Sequence, residues 1–430
     1  MHLETPQAKK LAMGSNSSVA VERCQVCNSA ELDPVIFVGY LPPVNTMPAI
    51  GSRPVEQPAY PAQLLRCRQC QLVQLGLIVD PAILFPPTYP YTSGTTKILR
   101  ENFAELYREV KGLYPLSAQD LVIDVGSNDG TLLSNFQNGG HRVFGIEPTN
   151  AGTLANARGI ATDISFFNRA AARRAIAQHG QAKVITATNV FAHIEDVHEI
   201  VDSILELLRD DGIFISESHY FLGLLETLQY DTIYHEHLRY YTLTSLKHLL
   251  AMHGLEIINA RRIPTHGGSI RVYAARKDKY PARDTIAPIL ASEAREITDA
   301  KLQSFRARVV DSKLALHALL RDVKAEGKRV YGVGAPSRAS TLVNYVGLDD
   351  GILDCVVEIK GSYKIGKYLP GTLIPVLEES KLYADQPDYA LLLSWHIADE
   401  LMSNLRAKGY QGGFIVPLPA PNVIPSSRAR

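Results

Sequence analysis

The chain has 430 residues, 46% hydrophobic and 20% charged, with 44 Lys+Arg against 44 Asp+Glu. That length and balance give two or three globular domains and exclude a disordered or collagen-like chain. A formal charge of zero removes any global attraction to nucleic acid or anionic lipid, and no apolar run reaches the ~18 residues needed to cross a bilayer, so a cytoplasmic protein is expected.

Residues 1–20 are polar, lack the apolar centre of a signal peptide, and read as a disordered leader. A small domain over 21–80 follows. Four of the five cysteines fall in two C-x-x-C pairs, Cys24/Cys27 and Cys67/Cys70. Two such turns can close a tetrahedral four-thiolate zinc site with no open position, a structural rather than catalytic metal; two disulfides are the competing arrangement, disfavoured in a reducing compartment. The proline-rich stretch between the pairs predicts a loop-dominated module held together by its metal. Cys355 reads as an unpaired buried strand thiol.

A larger α/β unit is expected over 81–285. It opens on the loop YPYTSG, whose Tyr89 and Tyr91 can line a ligand site or pack on their own loop, and continues into an amphipathic helix over 97–110. The strand Leu121–Val125 runs into Gly126, Ser127, Asn128, Asp129 and Gly130 and then a helix, which puts glycines where the backbone turns and a ligand can approach. A second strand ends in Glu147, about 20 residues on, where a carboxylate can accept hydrogen bonds from ribose hydroxyls. The pattern D-x-G-S-x-x-G departs from the dinucleotide fingerprint G-x-G-x-x-G and resembles the first motif of class I S-adenosylmethionine-dependent methyltransferases, with Asn189 and His193 at the end of the fourth strand. The stretch YDTIYHEHLRYYT packs Tyr234, His235, Glu236, His237, Tyr240 and Tyr241 between Asp231 and Arg239, dense in ionisable and aromatic groups and directly after the cofactor sheet, which favours a site over an exposed polar loop. H-E-H lacks the spacing of a catalytic zinc motif. An antiparallel pair joined through His266, Gly267 and Gly268 closes the sheet.

Residues 286–327 predict one or two linking helices, read as a structural spacer. A second Rossmann-like α/β unit over 328–430 begins with a strand and the glycine turn YGVGAPSR, where Arg338 at a helix start could meet a phosphate, and Lys360, Lys364 and Lys367 in the following loop could complete a pyrophosphate site or simply be solvated.

In succession, the two C-x-x-C pairs, YPYTSGTT, VIDVGSNDGT, NVFAHI, DTIYHEHLRYYT, HGGSIRVYA, YGVGAPSRAST, YLPGTLIPV and LLLSWH resemble the sugar C-methyltransferases that act on nucleotide-linked 4-keto-6-deoxyhexoses. The resemblance implies a zinc-binding N-terminal domain, a class I methyltransferase core and a C-terminal Rossmann-like domain, with the sugar nucleotide between domains; a monomer or small homo-oligomer is expected, the sequence itself leaving the state open. It further implies His237 as general base beside Tyr234 and Glu236, His193 near the sugar, and a tyrosine of the YPY loop over the pocket. Asp124, Gly126, Ser127, Asn128, Gly130, Glu147 and Asn189 would surround S-adenosylmethionine, and His266, Arg338 and Lys364 would meet the substrate. EIKGSYKIG and SWH depart from the family pattern, the second because asparagine usually follows that tryptophan, and both bear on substrate identity. An O- or N-methyltransferase, or a non-catalytic sugar-nucleotide-binding protein, is the alternative function.

Overall fold

The computed structural model describes Gly14, residues 17–85, Gly94 and residues 96–426. At its centre is a seven-stranded sheet whose strands, numbered along the chain, run in the order 3-2-1-4-5-7-6. Leu121–Val125 lies between Arg142–Ile146 and Ala182–Thr188, and Leu208–His219 follows; all are parallel. Ser269–Arg276 inserts antiparallel between Leu208–His219 and Leu255–Ile263, as the sequence predicts. Leu121–Val125 is buried throughout, the mark of a parallel strand covered on both faces. One cover is the Lys97–Leu113 helix, which turns Leu99, Phe103, Leu106 and Val110 inward at helical spacing.

The C-terminal unit is a second seven-stranded sheet with Val330–Val333 at its middle, parallel to Cys355–Glu358 and Tyr389–Leu392. Cys355 is buried and unpaired. Among the described residues no helix is long and apolar enough to cross a membrane.

The N-terminal module is built on Leu32–Leu41 and Tyr60–Cys67, a long antiparallel hairpin, while the proline-rich residues between them, 42–59, form no strand, as the sequence predicts. Leu32–Leu41 is the outer strand of its sheet, and its register shifts beside Pro34, so a proline is accommodated without cutting a central ladder. One expectation needs correction: the leader does not extend to residue 20, because Ser18–Ala20 pairs with Leu77–Val79. The same module takes a strand from the far side of the chain, Arg239–Tyr240 pairing with Val73–Gln74.

The helices Ile286–Glu296 and Asp299–Ala325 are more than a spacer. Glu293 is buried and accepts from Tyr220 Oη (2.9 Å) and from the Leu243 and Thr244 backbone N–H groups that open the next helix. Arg306 donates to the Pro34 and Val35 carbonyls of the module, Arg308 to that of Leu225 in the core (3.3 Å), and His317 to that of Val346 in the C-terminal unit (2.5 Å).

The four paired cysteines converge with their sulfurs within 4.8 Å of one another. Each C-x-x-C turn is closed by the residue after it, Asn28 N–H to Cys24 O (3.0 Å) and Gln71 N–H to Cys67 O (3.1 Å), with φ of 59° and 60°. Hydrogen bonding from Cys70 holds the Cys24 thiol down to about 5, whereas burial pushes Cys27 up to about 11. Four thiolates so close repel unless a cation sits among them, and the donor set fits structural zinc. Cys67→Ser should therefore bring zinc, read by atomic emission, well below one per chain and lower the melting temperature by on the order of 5–10 °C. Unchanged metal content would refute the four-thiolate site.

Candidate active site

Two groups of side chains meet at the carboxyl ends of the central strands, where open α/β sheets bind ligands. The first surrounds the glycine turn. Gly126, Asn128 and Gly130 have φ of 70°, 51° and 76°, and a Cβ on Gly126 would come within 2.5 Å of Val190 Cγ2. The Glu147 carboxylate accepts from Asn128 N–H (3.0 Å) and from Thr149 N–H and Oγ1 (3.0 and 2.6 Å), so it is fixed against the turn. Ser127 Oγ is buried without a hydrogen-bond partner among the described residues. Asp124 is buried and accepts from Thr186 Oγ1 (2.6 Å); burial, helped by the charges of Glu147 and Glu217, pushes its carboxyl up to about 8. Asn189, also left-handed at φ 59°, donates its backbone N–H to Glu217 O (2.8 Å). A turn with no room for a Cβ at Gly126, an orphaned hydroxyl and fixed acids at two strand ends fit S-adenosylmethionine.

The second group is a file of buried imidazoles. His237 donates from Nδ1 to Thr232 O (3.1 Å), which fixes its tautomer and leaves the lone pair on Nε2, 3.1 Å from Tyr234 Oη. Its ring centroid lies 5.0 Å from that of His193 and 4.7 Å from that of His219, and His219 lies 5.3 Å from His266. His193 donates from Nδ1 to Glu236 O (2.7 Å), and Asn189 Nδ2 lies 3.2 Å from His266 Nε2, linking the two groups. Burial is the largest cause depressing all four imidazoles: His266 falls to about 4, and His219 and His237 go well below their ordinary value. Burial thus favours the uncharged form of all four.

Glu236 joins three parts of the fold. Its Oε1 accepts from Asn45 Nδ2 of the cysteine module (2.5 Å), and Asn45 Oδ1 accepts from Tyr363 Oη of the C-terminal unit (3.2 Å). Lys364 is partly buried, lies near enough to Glu236 and Glu358 to feel their charge, and donates to Ala335 O; burial lowers its pKa.

Of the expected site residues, His193, Glu236, His237, Tyr234, His266 and Asn189 come together, as do Asp124, Gly126, Ser127, Asn128, Gly130 and Glu147. Tyr89 and Tyr91 lie outside the described residues; Gly94 donates its N–H to Asp129 Oδ2 (3.2 Å). Arg338 departs from expectation. It does not offer a free cation to phosphate, because Nε and Nη2 are both spent on the buried Asp231 carboxylate at 2.8 Å. His219 and Asn45 were not foreseen. His219 stands at the carboxyl end of the fifth strand, a position that could have marked it; Asn45 sits in a proline-rich run that carries no such signal.

Comparison with known proteins gives one consistent picture. Residues 24–85 match the family model described as "Putative zinc binding domain", 98–260 "Methyltransferase domain", and 264–419 "C-methyltransferase C-terminal domain". The chain is 32% identical over 409 residues to C-methyltransferase NovU of Streptomyces niveus, covering 94% of this chain and 97% of that one. Among solved structures, magnesium protoporphyrin IX methyltransferase from Synechocystis PCC 6803 with bound SAH is 16% identical, covering 41% of this chain and 83% of that one at a TM-score of 0.33. The CcbJ methyltransferase from Streptomyces caelestis is 14% identical, covering 41% and 89% at 0.33.

The raised Asp124 carboxyl has a consequence for stability. A proton held in the folded protein and released on unfolding stabilises fully below the ordinary carboxylate value of 3.8, and that stabilisation is lost as pH rises toward about 8. Asp124→Asn removes this loss, so its urea midpoint should gain on the wild type between about pH 4 and pH 8. Parallel midpoints over that range would show Asp124 ionised throughout.

Proposed function

Because the chain belongs to the C-methyltransferase family, we propose that this S-adenosylmethionine-dependent enzyme methylates the third carbon of a nucleotide-linked 4-keto-6-deoxysugar, with His237 as the base. The observation that carries the reading is the fixed tautomer of His237: a buried, uncharged imidazole whose Nδ1–H is spent on Thr232 O and whose Nε2 lone pair points to Tyr234 Oη. A ketone at the fourth carbon acidifies the hydrogen on the third. His237 Nε2, on giving up the Tyr234 hydroxyl it accepts from at rest, takes that proton, the electron pair of the C–H bond passes into the carbonyl as an enolate, and the freed Tyr234 hydroxyl donates to the enolate oxygen. Bound S-adenosylmethionine supplies an electrophilic methyl group on its sulfonium. The third carbon of the enolate would form the new bond to that methyl as the sulfur–methyl bond breaks with its electron pair onto sulfur, leaving the neutral thioether and restoring the ketone, and residues holding the two in line would provide much of the rate.

Neighbouring residues have supporting parts in this proposal. His193, whose Nδ1 is committed to Glu236 O, stands beside the sugar; Glu236 holds the base segment to Asn45; His266 and Lys364 meet the sugar nucleotide. Burial keeps the imidazoles neutral through the physiological range, so the base needs no prior deprotonation.

The test uses methyl-deuterated S-adenosylmethionine and a panel of nucleotide-linked 4-keto-6-deoxyhexoses. Mass spectrometry should find the label in the sugar, and NMR should locate it on the third carbon. His237→Asn should lower turnover by about 10²–10⁴-fold with S-adenosylmethionine affinity unchanged. Label on oxygen or nitrogen, or a variant at near-normal rate, would refute the assignment.

A further inference from the structure

The charged contact between the core and the C-terminal unit lies two links from the base. Asp231 is wholly buried, and its carboxylate takes three donors: Arg338 Nη2 on Oδ1 (2.8 Å), and Arg338 Nε (2.8 Å) and Trp395 Nε1 (2.7 Å) on Oδ2. The guanidinium lies over the Trp395 ring, 4.8 Å from its centroid, and also reaches Gln229 Oε1 (3.2 Å). A bidentate, fully hydrogen-bonded pair of this kind is geometrically exacting yet contributes little net stability, because each charge has been taken out of water. Stability therefore does not explain it; holding a backbone in one place does.

The backbone it holds is the one that fixes the base. Arg338 grips residue 231, and Thr341, one turn further along the same helix, donates from Oγ1 to the Ile233 carbonyl (3.1 Å). Between these two grips, the Thr232 carbonyl accepts both His237 Nδ1–H (3.1 Å) and Tyr240 Oη–H (2.9 Å). We propose that Arg338 and Trp395 of the C-terminal unit are positioning residues for methyl transfer, acting through Asp231 and the Thr232 carbonyl to hold His237 in its working tautomer and place. The proposal rests on His237 being the base. It gives the C-terminal unit a part in the chemical step, separate from any part in holding substrate.

The experiment compares Arg338→Lys, Trp395→Phe, His237→Asn and the double variant Arg338→Lys/His237→Asn in the full-length, zinc-loaded protein. Each variant's melting temperature and zinc content are checked first. Arg338→Lys keeps the charge but loses the two-pronged geometry. Its kcat should fall about 10–100-fold, the cost of a base displaced by about 1 Å, while KM and S-adenosylmethionine affinity change less than about twofold. Trp395→Phe should fall in the same direction by a smaller factor, and it serves as the test if Arg338→Lys does not fold. The double variant should be no slower than His237→Asn alone, since a residue that acts only through the base has nothing left to position. Near-normal kcat in both single C-terminal variants, losses confined to KM, or losses that multiply in the double variant would overturn the proposal while leaving His237 as base. A fast His237→Asn would instead strike the base assignment and take the positioning role with it.

Discussion

Desolvation of the segment 230–241 is the constraint that the rest of the molecule answers. Asp231, His235, Glu236, His237 and Arg239 are all buried, and a charge or polar group removed from water is costly unless protein groups replace the water. No single domain supplies them. Asp231 is met by Arg338 and Trp395, Glu236 by Asn45, His235 by the Pro61 carbonyl at 3.2 Å, and Arg239 by the carbonyls of Ile194 and Glu195. The cysteine module, the central sheet and the C-terminal unit thus each complete the surroundings of one short stretch of chain.

The same burial sets the electrostatics. It drives the acid at Asp124 up and the imidazoles of His193, His219, His237 and His266 down, so both groups lose charge near neutrality. Where a carboxyl and a cation are both deep, as with Glu217 and Arg271 (2.5 Å), the pair is closed by further donors such as Asn102 on Glu217 (2.8 Å). With these groups neutral, fewer charges are left to screen the sulfonium of bound S-adenosylmethionine.

What the sequence made legible was local. The cysteine pairs, the strand–glycine–helix turn at 121–138, the acid at 147 and the dense H-E-H stretch each lie within a short span, and backbone and ligand chemistry impose their pattern there directly. What it hid depends on contacts between distant residues. Asp231 meets Arg338 across a separation of 107 residues, and Asn45 meets Glu236 across 191. A glycine turn followed by an arginine looks the same whether that arginine awaits a phosphate or has already closed on an aspartate, which is why the expectation for Arg338 went astray. The strand through Pro34 is hidden for a related reason: a proline is tolerated there because that strand is outermost, a fact of sheet order that no single segment carries.

The pairing of Arg239–Tyr240 with Val73–Gln74 also bears on how the chain is made. During translation the hairpin and its cysteines leave the ribosome long before residue 240 exists, so the module has its metal ligands early but one strand short. Until the partner arrives, Val73–Leu75 presents a bare row of backbone donors and acceptors, the kind of surface on which nascent chains join one another. A chain cut after the module, or a module grafted onto another core, would keep that edge open permanently. The two parts are therefore joined through that edge, even though each is contiguous in sequence and looks separable on paper.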